Sequence, residues 1–108
     1  MRGVRASQRS AAVAAMTIGV LYLDLLIPGA RSLKEKRRVV KSLKSLMRNR
    51  FNCSVAETDY KDLWQRAQLA ACVISDDARF ANTQVNEIAS FAARHAGAEL
   101  ADYRIEML

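Results

Sequence analysis

Nine of the twenty residues from Arg31 to Arg50 are Lys or Arg, and one is acidic. Cations at that density do one kind of chemistry well: they hold phosphate or carboxylate oxygens. Their spacing sorts them. At 100° per residue, Lys34, Arg37, Arg38, Lys41, Lys44 and Arg48 share one helix face. Opposite them lies an apolar face of Leu33, Val39, Val40, Leu43, Leu46, Met47 and Phe51. The six cations are the candidate nucleic-acid-binding residues. Lys36 and Arg50 fall beside the apolar face near the two helix ends, where long side chains are expected to snorkel to water. The competing reading is a solvated face that keeps a small protein soluble. Such faces usually mix signs, yet Lys34 with Arg38, Arg37 with Lys41, and Lys44 with Arg48 are like-charge pairs at i,i+4, each opposing the helix by about 0.2–0.5 kcal/mol.

A second candidate is the loop Pro28-Gly29-Ala30-Arg31-Ser32, where Gly29, Arg31 and Ser32 at a helix start could hold a phosphate. Acylphosphatases use this loop of the same topology, so a small phosphohydrolase is the enzymatic alternative. Their Gly-rich cradle is missing, and Ser32 with Glu35 three residues on already explains the loop as a capping box. The remaining residues offer less chemistry. His95 is the only histidine and falls on the apolar arc of a second helix, where packing or capping suits it better than catalysis. Cys53 and Cys72 lack a histidine partner set for zinc and could face each other across a hairpin. Asp76 and Asp77 suit a helix N-terminus better than a metal. Trp64, among polar neighbours, is expected to anchor one end of the core, with a partner contact as the alternative. No catalytic constellation, metal site or cofactor is expected.

The elements that must position these residues follow from periodicity. Residues 17–27 are β-branched and apolar on both faces and end at Pro28-Gly29, which predicts a central strand. Ser32 opens the basic helix, which runs to about Phe51. Residues 52–60 and 66–75 read as strands joined by a short turn or bulged link, an antiparallel hairpin. Ser75 or Asp76 caps a second helix running to about Ala96, with Phe80, Ala81, Val85, Ile88, Phe91 and Ala92 on its apolar side and Gly97 as its stop. Residues 99–108 alternate, with Ala101, Tyr103, Ile105 and Met107 against Asp102, Arg104 and Glu106. The order β-α-β-β-α-β predicts an α+β, ferredoxin-like domain: a four-stranded antiparallel sheet with both helices on one face. The other face would carry Val20, Leu26 and either the Leu69 or the Ile74 set, a surface suited to a dimer or to docking of a partner.

Composition agrees with one domain. The chain has 108 residues, about half of them apolar, and a net charge of +6. The charge is lopsided: +3 over residues 1–16, −1 over 17–30, +8 over 31–50 and −4 over 51–108. Two cysteines are too few for a disulfide framework, and no apolar run is long enough for a membrane span. Residues 1–15, with three arginines and no acid, are set apart as a disordered basic tail or a misassigned start, with a transit peptide as the alternative. The folded domain is expected over residues 16–108.

Several blocks carry a family resemblance. They are Gly19-Val-Leu, Ile27-Pro-Gly-Ala-Arg-Ser-Leu-Lys-Glu-Lys-Arg37, Arg48-Asn-Arg-Phe-Asn52, Ser54-Val-Ala-Glu57 and Asp62-Leu-Trp-Gln-Arg-Ala67. In combination they resemble the YlxP-like family, a bacterial group labelled a domain of unknown function, over about residues 16–108. The resemblance implies a ferredoxin-like fold, a cytoplasmic bacterial protein, and a gene often found beside translation and ribosome-maturation factors. It implies no catalytic residues. Together with the basic helix it leads to the expectation of a non-catalytic RNA- or ribosome-associated protein. The alternative is a homodimeric module whose helix meets an acidic protein partner, for which Glu57, Asp59 and Asp62 near the hairpin tip of another copy would serve.

Overall fold

A computed structural model describes residues 16–108; the expectations for residues 1–15 lie outside the described residues. The elements are β1 (Thr17–Leu26), α1 (Leu33–Arg50), β2 (Ser54–Asp59), β3 (Arg66–Ser75), α2 (Ala78–Ala93) and β4 (Glu99–Met107). The strands form one antiparallel sheet in the order β2-β3-β1-β4. This is the ferredoxin-like α+β arrangement that the periodicity predicts.

The centre of the sheet is where the sequence is most apolar. Leu21, Leu23 and Leu25 of β1 stand beside Ala71, Leu69 and Ala67 of β3 in register, all buried. Both helices cover that face. Val40, Leu43 and Met47 of α1 and Ala81, Val85, Ile88, Ala89 and Ala92 of α2 complete the core. α2 comes very close to the sheet at Gly19, where a Cβ would stand 3.0 Å from Val85 Cγ1. α1 lies over β2, whereas α2 lies over β1, β3 and β4. The basic helix therefore sits beside the free edge strand. The even-numbered residues of β1 and their partners Gln68, Ala70, Cys72 and Ile74 occupy the uncovered face, so it is the Ile74 set, not the Leu69 set, that is open.

Helix ends follow local chemistry. Ser32 Oγ accepts from the Glu35 N–H at 3.1 Å, and the Glu35 carboxylate accepts from the Arg31 N–H at 2.7 Å. This is the capping-box pattern shifted one residue outward on its return bond. α2 is capped one residue later than expected, by Asp77, whose carboxylate accepts from Arg79 and Phe80 N–H; Ser75 Oγ instead accepts from the Asp77 N–H. α2 stops at Ala93, earlier than expected, and Gly97 with φ of 90° turns the chain into β4.

Three packing expectations are corrected. A bulge opposite Asp24/Leu25 pairs Leu25 with Leu100, so Leu100 packs on the core and Ala101 stands exposed. Trp64 is 52% exposed and anchors nothing in the core. Phe80, in the first turn of α2, is also exposed, as is Leu46 of α1.

Candidate nucleic-acid interface

The sequence-predicted stripe assembles on α1. Lys34, Arg37, Arg38, Lys41 and Arg48 are exposed and Lys44 is half-buried. Among the described residues none of the six makes an ion pair. From Lys34 to Arg48 the stripe runs about 21 Å, at 1.5 Å of rise per residue. The stripe contains no acid: Glu35, the one acid of the helix, is exposed at its first turn but engaged by the Arg31 N–H. Each cation reaches into water from a helix fixed by its buried opposite face. The arrangement can neutralise a row of phosphate or carboxylate charges.

Lys36 is the surprise. It is 1% exposed and does not snorkel. Its ammonium lies 2.8 Å from Glu57 Oε2, donates to the Tyr60 carbonyl at 2.7 Å and approaches the Lys61 carbonyl at 3.5 Å. The Glu57 oxygen lies off the hydrogen-bonding axis, so that contact is an ion pair rather than an aligned hydrogen bond. Three structural features bring the partners together. Glu57 opposes Leu69 and therefore points under the sheet. The register of β2 shifts between Glu57 and Asp59, and Tyr60 takes a left-handed φ of 61°. That turn directs its carbonyl back at the helix. Arg66 stacks over the Tyr60 ring at 4.2 Å. The Lys36 cluster thus ties the basic helix to the β2–β3 hairpin. Glu57, neutralised by its own chain, is not free to meet the basic helix of another copy. Arg50 does reach the surface, over the Phe91 ring at 5.4 Å.

Part of the hydrogen-bonding capacity of the loop at Gly29, Arg31 and Ser32 is met from within the chain, while Gly29 itself faces open space. The Ala30 N–H donates to the Ile27 carbonyl, the Arg31 N–H to Glu35, and Gln65 Nε2 donates to the Pro28 and Ala30 carbonyls. A phosphate here would face the Glu35 carboxylate, which already occupies the helix N-terminus. A cavity of about 610 Å³ adjoins this loop, bordered by Arg38, Val39, His95 and Glu99. His95 is half-buried at its rim, its backbone N–H donating to the Ala92 carbonyl.

Cys53 and Cys72 do not face each other. Cys53 packs on the core, whereas Cys72 pairs with Val20 and Ser54 on the uncovered face. Burial raises the Cys53 thiol above its ordinary pKa, Arg48 lowers it in part, and Cys72 adds a small raising effect. Among the described residues no three His, Cys, Asp or Glu side chains converge to hold a metal, and no helix is long and apolar enough to cross a membrane.

Sequence reasoning placed the stripe correctly and missed the Lys36 cluster. The available signal was the alternation of Cys53, Val55 and Glu57, which puts an acid on the covered face of a strand. An inward-pointing charge on an edge strand asks for a partner.

Comparison with known proteins places the family. A protein of unknown function model (DUF503) matches residues 18–105. The uncharacterized protein YlxP of Bacillus subtilis (strain 168) is 32% identical over 74 residues, covering 68% of this chain and 80% of that protein. Among solved structures, the de novo designed protein Foldit4 matches with a TM-score of 0.50 at 10% identity, over 86% of this chain and 96% of that one; it shows the fold alone. A C-terminal segment of the alpha subunit of aIF2 from Pyrococcus abyssi aligns with a TM-score of 0.45 at 16% identity, over 85% of this chain and 48% of that one. With nearly the whole described domain matched by one family model and a relative of that level of identity, the chain belongs to the YlxP-like DUF503 family.

Proposed function

We propose that this protein binds structured RNA, as part of the ribosome or of its maturation, through phosphate contacts made by the basic face of α1. One observation carries the reading: five exposed cations and the half-buried Lys44 share one helix face without an ionic partner among the described residues. Three i,i+4 repulsions within that stripe oppose folding, and a polyanion removes them. The sheet and the Lys36 cluster hold the helix in place, and the protein itself performs no reaction on the RNA. Phosphate recognition is insensitive to sequence, so RNA shape and surface charge would set the preference.

The experiment is cosedimentation with separated ribosomal subunits, followed by a salt titration against ribosomal RNA and generic duplex RNA. With all six cations on phosphates, log affinity falls against log salt with a slope of roughly −5, from about −0.9 per contact. Arg37→Glu with Lys41→Glu should weaken binding and make the slope shallower by about 2. If that double variant binds RNA as the wild type does, the reading is wrong. Binding to an acidic protein but not to RNA would favour the protein-interaction alternative.

A further inference from the structure

The uncovered sheet face carries a charge pattern that the basic helix does not explain. Asp24 and Asp102 lie directly opposite each other on β1 and β4. Like charges in that relation repel. Asp24 Oδ1 is shielded from solvent and has no hydrogen-bond partner, a condition that native proteins rarely leave unmet. Two residues along the strands, on the same face, Arg104 pairs with Tyr22 and stacks on its ring at 4.2 Å. Its guanidinium makes no ion pair among the described residues. A recess of about 130 Å³ lies between, lined by Tyr22, Asp24, Gln68, Asp102 and Arg104. Asp102 Oδ1 accepts only the neighbouring Tyr103 N–H at 2.9 Å. Opposite charges thus stand two residues apart along the strands, none of them in an ion pair among the described residues.

We infer that the open sheet face binds a second copy of this chain, with Arg104 of each protomer seated on the Asp24–Asp102 pair of the other. The pattern is self-complementary in the way a two-fold interface requires. A two-fold axis lying in the interface and crossing the strands at Leu23 and Tyr103 carries the Arg104 rung of one copy onto the aspartate rung of its partner. Val20, Ala70, Cys72 and the 61%-exposed Ile74 supply apolar contact on the same face. The size is adequate: four strands about 4.8 Å apart and some nine residues long at ~3.4 Å give a footprint on the order of 600 Å² before side-chain relief. A standard interface buries about 800 Å² per partner. The two helix layers then face outward, leaving both α1 stripes accessible. This inference does not rest on RNA binding.

The test uses the full chain and two charge-reversed variants, Arg104→Asp and the double substitution Asp24→Arg with Asp102→Arg. Sedimentation equilibrium should find a wild-type dimer in the micromolar range. Each variant alone sets like charges against like and should dimerise at least ~100-fold more weakly. An equimolar mixture restores both contacts and should form a heterodimer. A second measurement needs no substitution: alkylation of Cys72, on the open face, should slow as wild-type concentration rises through the dimerisation range, with core-packed Cys53 as internal reference. A wild type that stays monomeric up to about 100 µM, well above the micromolar range expected, overturns the inference and leaves the face to another partner. Variants that dimerise unchanged overturn it too, as does a mixture that stays monomeric.

Discussion

Replacing Lys36 by Met should destabilise this domain more than any substitution in the exposed stripe. The lysine is 1% exposed, and it supplies both the only counter-charge of Glu57 among the described residues and a hydrogen bond to the Tyr60 carbonyl. Met fills much of the same volume, so the loss is mainly electrostatic. Breaking one side of a buried ion pair costs about 3–5 kcal/mol. The Glu57 side chain is 17% exposed, so water recovers part of that, and about 3 kcal/mol is expected. For a domain of this size each kcal/mol shifts Tm by about 4–8 °C, so Tm should fall by roughly 12–24 °C. The same loss should appear in urea titration as a lower midpoint at unchanged slope. Adding Glu57→Leu removes the stranded charge, and the double variant should regain most of the stability, since apolar replacement of a buried pair is often neutral or better. A cost below about 1 kcal/mol for Lys36→Met, or a double variant no more stable than the single one, would refute this account of the cluster.

Three further outcomes are expected. Ser32→Ala should cost about 1 kcal/mol in urea unfolding by freeing the Glu35 N–H, and an unchanged midpoint would show that the cap contributes nothing. Trp64→Ala should cost well under the ~3–5 kcal/mol of a buried tryptophan, and the native tryptophan fluorescence should be readily quenched by acrylamide; strong protection from quencher would contradict its exposure. For Cys53, whose thiol is raised by burial above its ordinary value, the folded state holds its proton more tightly than the unfolded state. Its contribution to stability is therefore complete below the unfolded thiol pKa and is lost as pH rises through the folded one. Cys53→Ala should flatten the alkaline decline in stability above about pH 8.5.

Much of the fold was legible because its signals are local. β1 is apolar on both faces and stops at Pro28-Gly29. Ser32 and Glu35 announce a helix start. The order of strands and helices leaves few sheets in which β1 and β3 can both be central. The six-cation stripe was legible for the same reason: helical periodicity alone puts Lys34 through Arg48 on one side. Phe80 and Leu46 were misread because an apolar residue on the correct arc is buried only if another element lies opposite, and these two stand at a helix start and on the helix surface. Of the alternation in β4 only Ala101 was misread: Tyr103, Ile105 and Met107 share the covered side as expected, and the bulge at Asp24/Leu25 displaces Ala101 in favour of Leu100.

The sequence by itself determined the elements, their order, the cationic helix and the family, since each is written in residues close together along the chain. Only the tertiary structure decided the rest. Lys36 and Glu57 are 21 positions apart and meet because β2 lies beneath α1 and points one acid inward. Asp24, Asp102 and Arg104 gather only when β4 returns to lie beside β1. Charges so far apart along the chain acquire a relation through strand register, and it is that register which separates a lysine that fastens the fold from six neighbours left facing solvent.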